Sequence, residues 1–184
     1  MGVIVLILYG LFNLQRGCVL LRDLYRQTKA QISEIRAAIQ MHEVEWNRLP
    51  IPQDARRDQD LIVRTRDPFL TMLIGKEGAP SNSLHGLKLL EPPPAKNRQF
   101  GLWRDGTERV LSDPWGEPYY IVLDANVDSM VANPEFGADQ SNYAYAAKCK
   151  ANPSPATLPF NALIYSSGPD RDPKTWQDNI CSWR

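Results

Sequence analysis

The chain has no excess charge of either sign, since 21 lysines and arginines stand against 21 aspartates and glutamates in 184 residues. Such a balance offers a phosphate backbone little to hold, so nucleic acid is not an expected partner. Histidine is scarce: His42 and His85 are the only two, and two imidazoles cannot make a metal triad. The three cysteines, Cys18, Cys149 and Cys181, show neither zinc spacing nor a Cys-x-x-Cys pair. Ser166-Ser167-Gly168 is not a nucleophile elbow, and neither a phosphate loop nor a Gly-x-Gly-x-x-Gly run occurs. No poised acid–base set assembles, so the chain is expected not to be an enzyme. A long hydrophobic run is also missing. The uninterrupted apolar stretch covers Val3 to Phe12, whereas a membrane span takes about 20 residues. Counting on through Leu21 gives the length but takes in Arg16. A secretory signal peptide fits poorly, because no basic segment precedes the run and no small-x-small cleavage site follows it.

What the chain does have is a helical signal from Val3 to about Arg48. Leu21, Tyr25, Thr28, Ile32, Ile35, Ile39, His42 and Trp46 recur at alternating steps of four and three, which places them on one face. Arg22, Arg26, Lys29, Glu34, Arg36 and Glu43 fall elsewhere on the cylinder. Pro50 and Pro52 forbid further helix. Such a helix is roughly 70 Å long. Its first part is apolar all round and its second has a single stripe, which suggests a membrane anchor at one end and a packed domain at the other. Residues 1–21 are read as a short anchor, 22–50 as its amphipathic continuation and 51–184 as a globular domain. Arg16, Arg22, Arg26 and Lys29 follow the run and by themselves favour that side as cytoplasmic, so charge leaves the orientation open. His42 lies on the packed stripe and reads as a core residue.

Beyond Pro52 there are 15 prolines against 11 glycines in the whole chain, most of the prolines here, which points to an irregular domain with short strands. Gln53 to Arg66 reads as a charged connector without apolar period. Asp67-Pro68-Phe69 to Gly75 reads as a short helix, with Asp67 at the N-cap, Pro68 at the first turn and Gly75 at the stop. Its Phe69, Leu70, Leu73 and Ile74 would pack on the long helix. Ala95 to Leu111 reads as a loop or weak hairpin. Strands are expected at Tyr119–Leu123, Asn142–Ala146 and Phe160–Ser166, and the end, Asp178 to Arg184, returns to the fold. The fold class is α+β: a long N-terminal helix packed on a small antiparallel sheet, with an ordered C-terminal loop.

Two polar clusters match the oxygen-rich ligation that calcium takes. Asp124, Asn126, Asp128 and Glu135 copy part of the spacing of an EF-hand loop, but Ser129 stands where glycine is required and Pro134 precedes the glutamate. Chance spacing in a polar turn is the better reading. The second cluster, Ser167 to Asp178, carries Asp170, Asp172 and Asp178. From residues alone it reads equally as a solvated loop capped by its own aspartates. Cys149 and Cys181 pair in an oxidising compartment and stay buried thiols otherwise; the sequence leaves both open.

The order of these features resembles the major pseudopilin of bacterial type II secretion systems, within the type IV pilin-like family. The apolar helix grades into an amphipathic one ending in Arg48-Leu49-Pro50. Asp113-Pro114-Trp115-Gly116-Glu117-Pro118-Tyr119 is similar to the Asp-Pro-Trp-Gly-x-Pro-Tyr of that family, and Ser167-Gly168-Pro169-Asp170 with Asp178-Asn179-Ile180 and Trp183 is similar to its ending. The resemblance implies calcium in the C-terminal loop, with Asp170 and Asp178 as side-chain ligands, Ser167 and Asn179 beside them, and Asp172 in place of the carboxylate that Asn179 lacks. It implies a single pass through the bacterial inner membrane with the globular domain in the periplasm, which favours a Cys149–Cys181 bond. It implies a structural subunit that self-assembles through the N-terminal helix, with Gly10 and Gly17 available for close helix packing, alongside other pseudopilins, inner-membrane secretion components and lipid. The family's leader and processing site are missing here, so the mature anchor is expected to begin upstream of Met1. A second expectation, of another class, is a membrane-anchored periplasmic binding or adhesion module that exposes Trp103, Trp115 and Trp176 together.

Overall fold

The computed structural model describes residues 2–75, 87–137 and 155–184, with the side chains of the first helix described from residue 20 onward. Helix α1 spans Gly2–Trp46. It contains no proline, and it ends where Asn47 turns to a positive φ of 51° ahead of Pro50. His42 Nδ1 lies 3.0 Å from the Arg48 carbonyl and its ring packs against Trp46, so it is a satisfied core histidine. The stripe is buried at Thr28, Ile32, Ile35, Ile39 and His42, together with Gln31 and Ala38. Each buried isoleucine contributes about 1.5–3 kcal/mol. The stripe is uncovered at its upper members: Leu21 is 54% and Tyr25 48% exposed. Among the described residues, no helix is long and apolar enough to cross a membrane.

The remaining elements, in chain order, are strand β1 (Leu61–Arg64), helix α2 (Phe69–Ile74), and strands β2 (Gly101–Asp105), β3 (Glu108–Ser112), β4 (Tyr120–Leu123), β5 (Val131–Ala132), β6 (Thr157–Leu158), β7 (Ala162–Ser166) and β8 (Ile180–Cys181). The main sheet is antiparallel in the order β1-β4-β7-β8, and β2–β3 and β5–β6 are separate antiparallel pairs. Tyr120 lies opposite Tyr165 and Ile121 opposite Ile164, so aromatic and aliphatic side chains alternate between faces. One face, with Ile121, Leu123, Ile164 and Ile180, packs on α1 and α2 around Ile32, Ile35, Phe69 and Leu70. The other, with Val122, Leu163, Tyr165 and Trp176, forms a smaller cluster.

Three expectations change. The connector contains β1, an edge strand made of only three consecutive apolar residues and Arg64, whose guanidinium lies 3.7 Å from the Tyr120 ring centre. The stretch 95–111 is a paired hairpin that buries Val110 and Leu111. Helix α2 starts one residue late, with Pro68 at the cap position, because Asp67 is engaged elsewhere: it accepts from the Arg109 side chain at 3.0 and 3.1 Å and from Thr71 Oγ1 at 2.8 Å. Gly75 does stop the helix, with φ 76°. The expected strand 142–146 lies outside the described residues.

Candidate functional site: the C-terminal loop

Strand β7 runs into a loop, residues 167–179, that returns as β8. Gly168 makes the turn with φ 71°, and a Cβ there would meet the Asp178 carbonyl at 2.5 Å. Only glycine lets the two ends of the loop approach this closely. The loop then closes on its own aspartates: Asp170 Oδ1 accepts the Asp172 amide and Asp172 Oδ1 the Lys174 amide, at 2.8 and 2.9 Å. Asn179 donates from Nδ2 to the Pro173 carbonyl at 2.9 Å.

Three oxygens in this loop are buried without a donor: Ser167 Oγ, Asp178 Oδ1 and Asn179 Oδ1. Buried polar atoms are normally paired, so three orphans in one loop call for an explanation. Burial raises the Asp178 carboxyl above its ordinary pKa, and the negative charges of Asp170 and, to a lesser degree, Asp172 raise it further, against hydrogen bonding from backbone amides. Of the five expected ligands, Ser167 and Asn179 are buried, Asp178 is partly buried, and Asp170 and Asp172 are exposed. Among the described residues, no three carboxylate, imidazole or thiolate groups stand close enough to hold a metal by themselves. What the loop offers is a mixed set of neutral and charged oxygens, the donor type that suits calcium rather than a softer ion.

The Asp113-Pro-Trp-Gly turn sits against this loop. Asp113 Oδ1 accepts the amides of Trp115 and Glu117 at 3.0 and 2.9 Å, and Oδ2 accepts the Ser166 hydroxyl at 2.6 Å. Ser166 Oγ in turn accepts the Gly168 amide at 3.1 Å. Burial raises the Asp113 carboxyl above its ordinary value despite these bonds. Beside the loop lies a cleft of about 440 Å³ lined by Leu21, Tyr25, Trp115, Asp178, Asn179 and Arg184, among others. Two clefts of about 590 and 610 Å³ flank the Arg48–Arg57 segment at the other end of α1, and none of the orphan oxygens lines them.

The EF-hand-like set does not form. Asp124 is buried and spends both oxygens on the amides of Asp128 and Ser129, while Glu135 pairs with Arg184 at 3.0 Å. Cys181 is a buried free thiol pushed up to about 11 by burial; Cys149, the other half of the expected pair, lies outside the described residues. The three tryptophans expected on a ligand surface are separated. Trp176 is 5% exposed against Tyr165 and Trp183, Trp115 packs on the main core, and Trp103 is partly buried with its Nε1 donating to Ser112. The sequence reading missed the role of Ser166, which no motif marks, and of Lys29 and Arg109, whose partners are backbone carbonyls and a distant aspartate. Compared with protein-family models, curated proteins and solved structures, the chain matches none.

Proposed function

We propose that the chain is a structural subunit of a type II secretion pseudopilus, anchored in the inner membrane by its N-terminal helix and assembling with copies of itself and other pseudopilins. The observation that carries this reading is on α1: one face of the helix is buried from Thr28 to His42, whereas Leu20, Leu21 and Tyr25 are 62%, 54% and 48% exposed. Apolar residues left bare on one stretch of a helix mark a surface for another partner. Calcium is the proposed cofactor. Asp178, Asn179 and Ser167 would hold it, with Asp170 and Asp172 at the exposed side, and it would satisfy the three orphan oxygens while neutralising the crowded carboxylates. The resemblance of the Asp113–Tyr119 turn and the 167–183 ending to the major pseudopilin supports the same reading.

Cysteine placed at Leu21 or Tyr25 in the full chain tests the assembly. Oxidative crosslinking in membranes should give ladders of covalent oligomers, whereas exclusively monomeric product rejects the filament subunit. Calcium is tested by melting the purified protein with calcium and with chelator, beside Asp178→Asn. The wild type should melt higher with calcium. Asp178→Asn should lose that increment and, because it removes a carboxylate charge that burial and Asp170 disfavour, melt at least as high as chelated wild type at neutral pH. An identical melting curve in calcium and chelator removes the metal.

A further inference from the structure

Lys29 projects from α1 to the far end of the chain. Its Nζ donates to the Cys181 carbonyl at 2.6 Å and to the Arg184 carbonyl. These acceptors bracket Ser182 and Trp183, and Cys181 stands two residues beyond Asn179. Arg184 extends the tie: its guanidinium donates to Glu135 Oε1 at 3.0 Å, to the Asn179 carbonyl at 3.2 Å and to the Trp176 carbonyl. Ser182 fastens the same segment to β7, its amide on the Ile164 carbonyl at 2.8 Å and its hydroxyl accepting the Ile164 amide at 3.0 Å. The segment that closes the loop is therefore held by the sheet on one side and, on the helix side, by the packing of Ile180 in the core and by one ammonium. Lys29 sits at the boundary of the packed stripe, next to buried Thr28 and one turn below exposed Tyr25. A partly buried ammonium gives up hydration, which it accepts here for two carbonyl acceptors.

We propose that Lys29 is a positioning residue that couples the cation loop to helix α1, so that calcium occupancy fixes the return strand of the loop against the helix stretch bearing Tyr25. This rests on the calcium reading of the loop given above. The argument is one of linkage. The loop accommodates a cation only when Ser167 and the Asp178-Asn179 pair are held together, and Lys29 fixes the second of these relative to α1. A contact that favours the binding geometry is itself favoured by binding, in equal measure. Groups that orient the ligands of a metal commonly contribute about 10–100-fold to its affinity. The cleft between Tyr25 and Asp178 would be set by the same contact, which places the proposed assembly surface under the influence of the ion.

The test uses the full chain, with calcium itself as the probe. Calcium affinity is measured by titration, and hydrogen exchange of the α1 amides around Tyr25 to Ser33 is followed with calcium and with chelator. Lys29→Met should weaken calcium binding by roughly tenfold or more, and the calcium-dependent protection of α1 seen in the wild type should vanish. Lys29→Arg, which can still reach two carbonyls, should recover most of both. If Lys29→Met does not fold, Lys29→Gln, with a donor on a shorter stem, serves in its place and should lie between. A variant that is merely less stable, with unchanged calcium affinity and unchanged calcium-dependent protection, overturns the coupling while leaving the metal site intact. Failure of the wild type to bind calcium overturns both.

Discussion

Ser166 Oγ and Asp113 Oδ2 meet at 2.6 Å, both residues fully buried, in a bond that joins the last residue of β7 to the first of the Asp-Pro-Trp-Gly turn. The same hydroxyl oxygen receives the Gly168 amide, so one side chain connects the turn with the start of the C-terminal loop. Ser166→Ala removes both contacts and leaves a carboxylate oxygen and an amide without partners. The expected cost is about 1–3 kcal/mol for the buried orphan, read from the urea midpoint. Asp113→Asn should cost less at neutral pH than its burial suggests, since the raised carboxyl already disfavours ionisation in the fold. A Ser166→Ala protein as stable as the wild type shows that the bond is incidental.

The Asp67–Arg109 pair lies between α2 and the hairpin, with side chains 20% and 10% exposed. Arg109 also donates to the Gly75 carbonyl at 2.8 Å and to Thr71, so each of the three guanidinium nitrogens has an acceptor. Asp67→Ala strands it and should cost on the order of 3–5 kcal/mol, whereas Asp67→Ala with Arg109→Met should cost clearly less. A single variant no worse than the double contradicts this.

The same aspartate sets an acid limit. Burial alone would raise the Asp67 carboxyl, but hydrogen bonds from the Arg109 side chain and amide and from Thr71, with the charge of Arg109, bring it below its ordinary value. Because the folded pKa is the lower one, the stabilisation is complete above the unfolded carboxylate pKa, about 4, and is lost as pH falls through the folded value. Wild type should therefore lose more stability than the double variant across that acid range, measured as urea midpoint against pH.

Two glycines separate backbone strain from crowding. Gly106, φ 61°, has open space where a Cβ would stand, so Gly106→Ala should cost about 1–2 kcal/mol for its left-handed backbone alone. Gly168 has a similar φ but faces the Asp178 carbonyl, so Gly168→Ala should cost distinctly more and should also lower calcium affinity. Equal melting temperatures for the two variants would show that the loop ends are free to separate.

The helix period made α1, its buried face and the role of His42 legible, because a repeat sustained over many turns leaves little else to fit. The runs at 120–123 and 162–166 were legible as strands by their aromatic and β-branched composition. Strand β1 was not, since Leu61-Ile62-Val63 stands alone in a charged stretch, without aromatics, and owes its place to pairing with β4. Asp67 looked like a helix cap because the rule for caps is local, and Arg109, which claims it, is remote in sequence. In the loop, Ser167, Asp178 and Asn179 were named from the sequence for the oxygens they carry. That Ser167, Asp178 and Asn179 hold the buried orphans, and Asp170 and Asp172 do not, depends on how β7 and β8 bring the loop back on itself.

The order of strands in the main sheet has a consequence for synthesis. Strand β4 sits between β1, made long before it, and β7, made well after, while α1 packs on β7 and β8. A ribosome thus releases Ile32, Ile35 and Ile39 early and delivers the strands that cover them late. Until then the helix is an amphipathic rod without its partner, and contacts this distant in sequence form slowly. The nascent chain has a prolonged need for shielding, by a chaperone or a lipid surface, before its own C-terminal strands take over.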